Sequence, residues 1–221
     1  NYTRLSQRLN SWLSSQTPAG ILFETDLRLR PNGDSGLLAV SVDAFRDYQL
    51  KNAWTWEHQA ITRARFWAGD PAVGQRFEAI RTEILRLPRD LAKLKEDVVA
   101  MRQKMYAAHA LNSETGFALK HDPGGIIDVE FIVQYLILGH AHQHAELTGN
   151  LGNIALLRIA GELGLIDPAQ ARAVGNAYRE YRRLQHARRL SAMPKAPIPR
   201  EEVEAHIAAV SALWQAVFGS D

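Results

Sequence analysis

The sequence contains no cysteine among its 221 residues. This absence excludes disulfide bonds, thiolate nucleophiles and cysteine-ligated metals. No apolar run approaches the ~20 residues that a membrane-spanning helix requires. The chain also lacks a P-loop and a G-x-G-x-x-G motif, so the two commonest phosphate-binding loops are excluded. A strong excess of one charge is missing too, since 26 Lys and Arg face 24 Asp and Glu. We therefore expect no nucleic acid as the main partner and no membrane association.

The composition, 46% hydrophobic and 23% charged, is typical of a globular protein. The first residues, "NYTRLSQRLNSWL", contain no signal-peptide core and begin without methionine inside a predicted helix, which indicates a fragment of a longer protein. Two strands are predicted, in "ILFETDLRLRP" (21–31) and "LLAVS" (37–41). Periodicity, caps and prolines predict helices over 3–14, 41–50, 54–67, 70–86, 88–109, 126–142, 153–163, 168–190 and 200–218. The predicted fold is mainly α, a helical bundle preceded by a partial α+β region.

The first stretch, "ILFETDLRLRP", alternates apolar and charged residues. In a strand this places Glu24, Asp26, Arg28 and Arg30 on one face. Two interpretations stay open, because such a face forms cross-strand ion pairs or a metal-dependent phosphoryl-transfer site. Mg²⁺ usually takes more than one protein carboxylate, and no Asp-x-Asp pair occurs in the chain.

The second stretch is "AWTWEHQAITRAR", residues 53–65. Its two tryptophans are typical of core or interface packing. Arg63 and Arg65 at its end are candidates for binding a phosphate, because the guanidinium group binds phosphate oxygens bidentately.

The third stretch is "DPGGIIDVEFIVQYL", residues 122–136. Gly124 and Gly125 permit close backbone approach at a helix start, where amide hydrogens can bind an anion. Asp128 and Glu130 fall in or near the first turn, which simple complementarity to the helix dipole also explains. Residues two apart diverge around a helix, so this pair is not expected to clamp one ion.

Taken in order, these three stretches strongly resemble the glutamine synthetase adenylyltransferase family, also called glutamate-ammonia-ligase adenylyltransferase. The resemblance covers nearly the whole chain, and "AWTWEHQA" resembles the C-terminal, adenylylating half. It implies that residues 1–50 are the end of a nucleotidyltransferase catalytic domain and that 51–221 form a helical domain. It also implies transfer of AMP from ATP to a tyrosine of glutamine synthetase, with Mg²⁺, in the cytoplasm. The PII signal protein and glutamine are implied as regulators.

The resemblance also implies roles for individual residues. Asp26 matches the third carboxylate of the family's metal site, so it would be catalytic and a metal ligand. The residues implied near the nucleotide are Arg28, Arg30, Arg63, Arg65, Gly124, Gly125, Asp128 and Glu130. Arg28 and Arg30 belong to a "D-x-R-L-R-P" pattern and would either bind phosphate or stabilise the fold. The family's Asp-x-Asp pair is absent from this sequence, so we expect the fragment alone to be inactive.

Two alternatives remain. One is a protein like the uridylyltransferase that modifies PII, which shares a related helical domain; "AWTWEHQA" favours the adenylyltransferase. The other is a non-catalytic helical module that binds glutamine synthetase or PII.

Overall fold

The computed structural model describes residues 2–21, 25–27, 30–109, 116–191 and 197–219. The chain divides into two compact units, Asn1–Ile84 and Leu85–Asp221. The described residues contain α-helices and a single two-stranded sheet, so the prediction of a mainly α fold is confirmed. Within them, no helix combines the length and the apolar character needed to cross a bilayer.

The first unit begins with helix α1 (Tyr2–Ser14) and a hairpin of strands β1 (Gln16–Thr17) and β2 (Gly20–Ile21). Three helices follow: α2 (Val42–Lys51), α3 (Thr55–Ile61) and α4 (Pro71–Leu85), the last ending one residue into the second unit. Ser41 begins α2, because its hydroxyl accepts the amide hydrogen of Ala44 at 3.1 Å.

The two predicted strands are the main departure. The prediction for 37–41 is wrong, because these residues form no strand and lead into the cap of α2. Residues 25–27 are also irregular, while 22–24 and 28–29 lie outside the described residues. Alternating apolar residues form a strand only when another strand pairs with them. In the described part of this unit, the only such pairing joins β1 to β2.

The second unit contains α5 (Leu91–His109), α6 (Ile126–His140), α7 (Asn153–Glu162), α8 (Pro168–Leu190) and α9 (Glu204–Phe218). Helix α6 is its centre, because it contacts the other four helices and buries nearly all its residues. Its apolar residues surround the whole helix, as expected for a helix without a solvent face. Asp167 caps α8 by accepting the amide hydrogen of Gln170 at 2.8 Å, with Pro168 in the first turn.

The loops before α6 and α9 are joined by an isolated antiparallel bridge. The amide of Phe117 donates to the carbonyl of Ile198 at 2.7 Å, and the reverse bond measures 3.0 Å. Both side chains are buried. This bridge positions the loop from which α6 begins.

Candidate functional site

Asp26 lies in the irregular segment between β2 and α2, and its side chain is exposed. Its predicted neighbours Glu24 and Arg28 lie outside the described residues. Across the described ranges, no three His, Cys, Asp or Glu side chains come together in a way that could hold a metal ion. The described residues therefore do not form a Mg²⁺ site by themselves, and Asp26 supplies a single carboxylate.

Arg30 closes the turn that follows Asp26. Its Nε donates to the carbonyl of Gly36 at 3.2 Å, and Nη1 donates to the carbonyl of Leu27. The turn is tight, since a Cβ on Gly36 would lie 1.9 Å from the carbonyl oxygen of Pro31. These contacts favour a fold-stabilising role for Arg30.

Arg63 and Arg65 follow the end of α3, and both side chains are exposed. The guanidinium carbon of Arg65 lies 4.8 Å from the ring centre of Trp67, within the range of a cation–π contact. Helix α3 ends earlier than predicted, at Ile61, so the two arginines project from irregular backbone.

Arg81 explains where α3 ends. It is 2% exposed, and its guanidinium donates to the carbonyls of Ile61 and Thr62 at 3.2 and 2.9 Å. Burial lowers the pKa of Arg81, partly opposed by Glu78. The sequence analysis did not identify Arg81, because an arginine on a helix usually faces solvent.

Glu57 anchors the "AWTWEHQA" stretch. This buried carboxylate accepts hydrogen bonds from the Tyr48 hydroxyl at 2.9 Å and the Trp54 amide at 2.8 Å. Burial is the main cause that raises the pKa of Tyr48. The next residue, His58, places Nε2 3.0 Å from the carbonyl of Gln49. Trp54 itself is 70% exposed, so it does not pack in the core, and interface packing of this residue stays a prediction.

The start of α6 brings Gly124, Gly125 and Asp128 together. Asp128 Oδ2 accepts the Gly124 amide hydrogen at 2.6 Å, and Oδ1 accepts from Arg102 Nε. Arg102 also donates through Nη2 to the carbonyl of His121 at 2.9 Å. The ion pair is buried, since each side chain is 7% exposed.

The amide hydrogens at this helix start are bound by protein oxygens. Gly125 donates to Asp122 at 3.0 Å, Ile126 to Leu119 at 2.8 Å and Ile127 to Lys120 at 3.3 Å, each to the main-chain carbonyl. An anion would have to displace these carbonyls. The backbone packing explains Gly125, because a Cβ there would lie 2.5 Å from the Leu119 carbonyl oxygen.

Gly124 is required for a different reason. Its φ of +85° lies in the left-handed region that favours glycine, and a Cβ there would lie 2.8 Å from Ile207 Cγ2. Its carbonyl accepts the Tyr181 hydroxyl at 2.9 Å. Burial raises the pKa of Tyr181, and the charge of Asp128 raises it further. Tyr181 therefore acts as a neutral donor across the physiological pH range.

Glu130 makes a hydrogen bond to helix α8. It is half-buried, and its Oε1 accepts the hydroxyl of Tyr178 at 3.2 Å. This agrees with the expectation that residues two apart on a helix point in different directions.

Two buried residues that hold the start of α6, Arg102 and Tyr181, were not predicted from the sequence. A polar residue within an apolar periodic pattern is the signal that could have found them, because a buried arginine or tyrosine needs a partner. Nucleotide contacts by the predicted residues stay predictions. Asp26, Arg30, Arg63 and Arg65 belong to the first unit, and residues 124–130 belong to the second.

The chain is similar over nearly its whole length to curated proteins named bifunctional glutamine synthetase adenylyltransferase/adenylyl-removing enzyme. The relative from Aromatoleum aromaticum is 64% identical over 219 residues, which cover 99% of this chain and 23% of the relative. The relative from Nitrosomonas europaea is 53% identical over 233 residues, covering 99% and 25%. That from Bordetella bronchiseptica is 55% identical over 216 residues, covering 98% and 23%. The chain thus spans about a quarter of these relatives.

Two family models match adjacent parts of the chain. Residues 1–80 match the family described as glutamate-ammonia ligase adenylyltransferase. Residues 92–216 match the family described as GlnD PII-uridylyltransferase. The chain therefore belongs to the glutamine synthetase adenylyltransferase/adenylyl-removing family, and its residues 92–216 also match the PII-uridylyltransferase family.

Proposed function

We propose that this chain is part of an enzyme that transfers AMP from ATP to a tyrosine of glutamine synthetase and so regulates nitrogen assimilation. The observation that carries this proposal is the 64% identity over 219 residues to a bifunctional glutamine synthetase adenylyltransferase/adenylyl-removing enzyme. The match of residues 1–80 to the adenylyltransferase family supports the same assignment.

In this reaction the tyrosine hydroxyl oxygen attacks the α-phosphorus of ATP. A new oxygen–phosphorus bond forms, the bond from the α-phosphorus to the bridging oxygen breaks, and pyrophosphate leaves. The phenolic proton passes to a carboxylate or to water. Asp26 is the proposed carboxylate in this chain, because it is exposed and carries the charge that such a role needs.

ATP and Mg²⁺ are the proposed substrate and cofactor. Asp26 would supply one oxygen ligand, and we propose that further ligands come from parts of the relatives that this chain does not span. Bound Mg²⁺ would offset negative charge on the phosphates. Arg28, Arg30, Arg63 and Arg65 are the proposed phosphate neighbours. The residues proposed near the nucleotide in the second unit are Gly124, Gly125, Asp128 and Glu130.

One carboxylate holds Mg²⁺ poorly, so the 221-residue chain alone is proposed to be inactive. PII and glutamine are the proposed regulators, and the cytoplasm is the proposed location. The match of residues 92–216 to a PII-uridylyltransferase family supports the link to PII.

The test compares two proteins. One is the 221-residue chain, and the other, called the long protein, contains this chain and is as long as the relatives. Each is incubated with glutamine synthetase, labelled ATP and Mg²⁺, and AMP incorporation is measured. We expect the long protein to transfer AMP and the 221-residue chain not to. If the long protein is inactive while the 221-residue chain still binds glutamine synthetase or PII, the chain is a non-catalytic binding module instead.

Replacing Asp26 in the long protein tests its role. We expect Asp26→Asn to reduce AMP transfer by about 100-fold or more, because it removes a metal ligand and a proton acceptor. The exposed side chain predicts an unchanged melting temperature. Asp47→Asn is the matched control, since Asp47 is also exposed and pairs with Lys51 on the surface of α2. Full activity of Asp26→Asn would remove Asp26 from the mechanism.

A second candidate function is uridylylation of PII, which the match of residues 92–216 favours. The same long protein is incubated with PII and labelled UTP. Incorporation of UMP into PII without AMP transfer to glutamine synthetase would favour this second function.

A further inference from the structure

Helix α8 carries most of the uncompensated positive charge of the chain. Its residues Pro168–Leu190 include six arginines, no lysine and one glutamate, a net charge of +5, whereas the whole chain has a net charge of only +2. The rest of the chain is therefore slightly acidic. Helix α8 thus differs from the rest of the chain in its strong positive charge.

Five of these arginines share the solvent side of α8. We call this surface the α8 arginine face, and its members are Arg172, Arg179, Arg182, Arg183 and Arg189. All five are exposed. With 3.6 residues per turn they fall within about a third of the helix circumference, and they extend over about 26 Å. The opposite side of α8 packs on α7 and α9 and buries Ala171, Val174, Ala177 and Tyr181.

Few acidic groups neutralise this face. Glu180 binds Arg183 through two hydrogen bonds, of 2.8 and 2.6 Å. Glu162 on the adjacent α7 is bound to Arg158 instead. Within the part of the chain that the structure describes, no carboxylate forms an ion pair with Arg172, Arg182 or Arg189.

Local helix energetics do not account for the face. The helix dipole favours the cations of the last turn, where Arg189 lies, but not Arg172 near the other end. Like charges three or four residues apart, such as Arg179 and Arg182, destabilise a helix slightly. Leu190, which is 89% exposed, continues the face with an apolar side chain.

We propose that the α8 arginine face binds a carboxylate-rich surface of the protein that the enzyme adenylylates. This proposal rests on the proposed function, because it takes glutamine synthetase as the acceptor. Arginine suits the role better than lysine, since its planar guanidinium binds a carboxylate through two parallel hydrogen bonds. Charge complementarity of this kind speeds association and sets orientation. An exposed leucine beside the arginines adds apolar contact area.

Protein carboxylates fit the face better than a nucleic acid does. A nucleic-acid surface usually accompanies a strongly basic chain, and this chain has a net charge of only +2. The slightly acidic remainder would repel a long phosphate backbone that extends beyond α8.

The experiment uses the full-length protein that contains this chain. The triple variant Arg172→Gln, Arg182→Gln and Arg189→Gln removes three charges of the face. We expect its KM for glutamine synthetase to rise about tenfold, with kcat and the KM for ATP unchanged. Titration of glutamine synthetase by biolayer interferometry at low and physiological ionic strength should show weaker binding and a smaller dependence on salt.

A matched control removes three exposed charges elsewhere in the same unit, through Lys104→Gln, Lys120→Gln and Arg158→Gln. We expect little change in KM or salt dependence. A second triple variant, Arg172→Lys, Arg182→Lys and Arg189→Lys, keeps the charge. Its binding to glutamine synthetase should therefore keep most of the salt dependence. Melting temperatures of the three variants check that folding is unaffected.

Each outcome decides the proposal. An unchanged KM and salt dependence in the glutamine triple would overturn it, as would an equal effect in the control. Displacement of glutamine synthetase from the unsubstituted protein by RNA, at equal ionic strength, would assign the face to nucleic acid and overturn it too. If the unsubstituted protein transfers no AMP, the proposed function fails, and the binding titration alone still tests the face.

Discussion

Asp128 shows at the scale of one residue how a carboxylate can organise a helix start. It accepts a hydrogen bond from Arg102 and another from the Gly124 amide, and its side chain is 7% exposed. A buried ion pair contributes little net stability compared with an apolar pair, because both charges lose their hydration. Loss of one partner is costly, because it leaves the other charge buried without compensation.

We therefore expect Asp128→Ala to destabilise the chain by about 3–5 kcal/mol, measured from the midpoint of urea denaturation followed by circular dichroism. The control is Glu162→Ala, which removes an exposed pair with Arg158 and should cost about 0–1 kcal/mol. The double variant Arg102→Met, Asp128→Leu should lose less than Asp128→Ala. Equal midpoints for Asp128→Ala and Glu162→Ala would show that the buried pair is not structural.

Helices α6 and α7 both begin after a glycine, but the two glycines are required to different degrees. Gly125 precedes α6 and is in close contact with the backbone of the preceding loop, whereas a Cβ on Gly152, which precedes α7, would meet nothing within 4 Å. Close packing therefore requires glycine before α6, whereas the space around Gly152 would admit a side chain before α7.

Serine is a favourable N-cap residue, so substitution by serine separates steric fit from capping. We expect Gly125→Ser to cost about 1–3 kcal/mol, because the added Cβ would lie 2.5 Å from the Leu119 carbonyl oxygen. Gly152→Ser should leave the free energy of unfolding unchanged or raise it by about a few tenths of a kcal/mol. Thermal unfolding of both variants measures the difference. A stabilised Gly125→Ser variant would contradict the close packing before α6.

At the scale of the whole molecule, the second unit contains what an independent domain needs. Its central helix α6 is surrounded by four helices of the same unit, and the bridge between Phe117 and Ile198 joins two of its loops. A core that is covered by its own unit does not depend on other parts of a protein for burial of its apolar surface.

We therefore expect a chain of residues 88–221 to fold alone. Circular dichroism should show a helical spectrum and a cooperative thermal transition. Ile132 is 0% exposed on α6, so Ile132→Asp should abolish the transition by burying a charge. A gradual, uncooperative transition of the unsubstituted fragment would mean that the second unit needs the rest of the chain.

Much of the helical architecture follows from local signals. The helices predicted from residues 41 and 168 begin there in the structure, where Ser41 and Asp167 are the N-cap residues. The uniformly apolar segment after Gly125 predicts a buried helix, and α6 is that helix. These features depend on residues close together in the chain, so a pattern within a short window is sufficient.

The sequence by itself determined the approximate positions of the helices and, through three stretches in order, the family. Only the tertiary structure decided that residues 37–41 form no strand, that Arg81 ends α3 at Ile61, and that Asp128 is bound by Arg102. The physical reason is distance along the chain. Arg81 lies 20 residues from Ile61, and Arg102 lies 26 residues from Asp128. A strand, a helix end or a buried charge depends on partners that only the folded chain brings into contact.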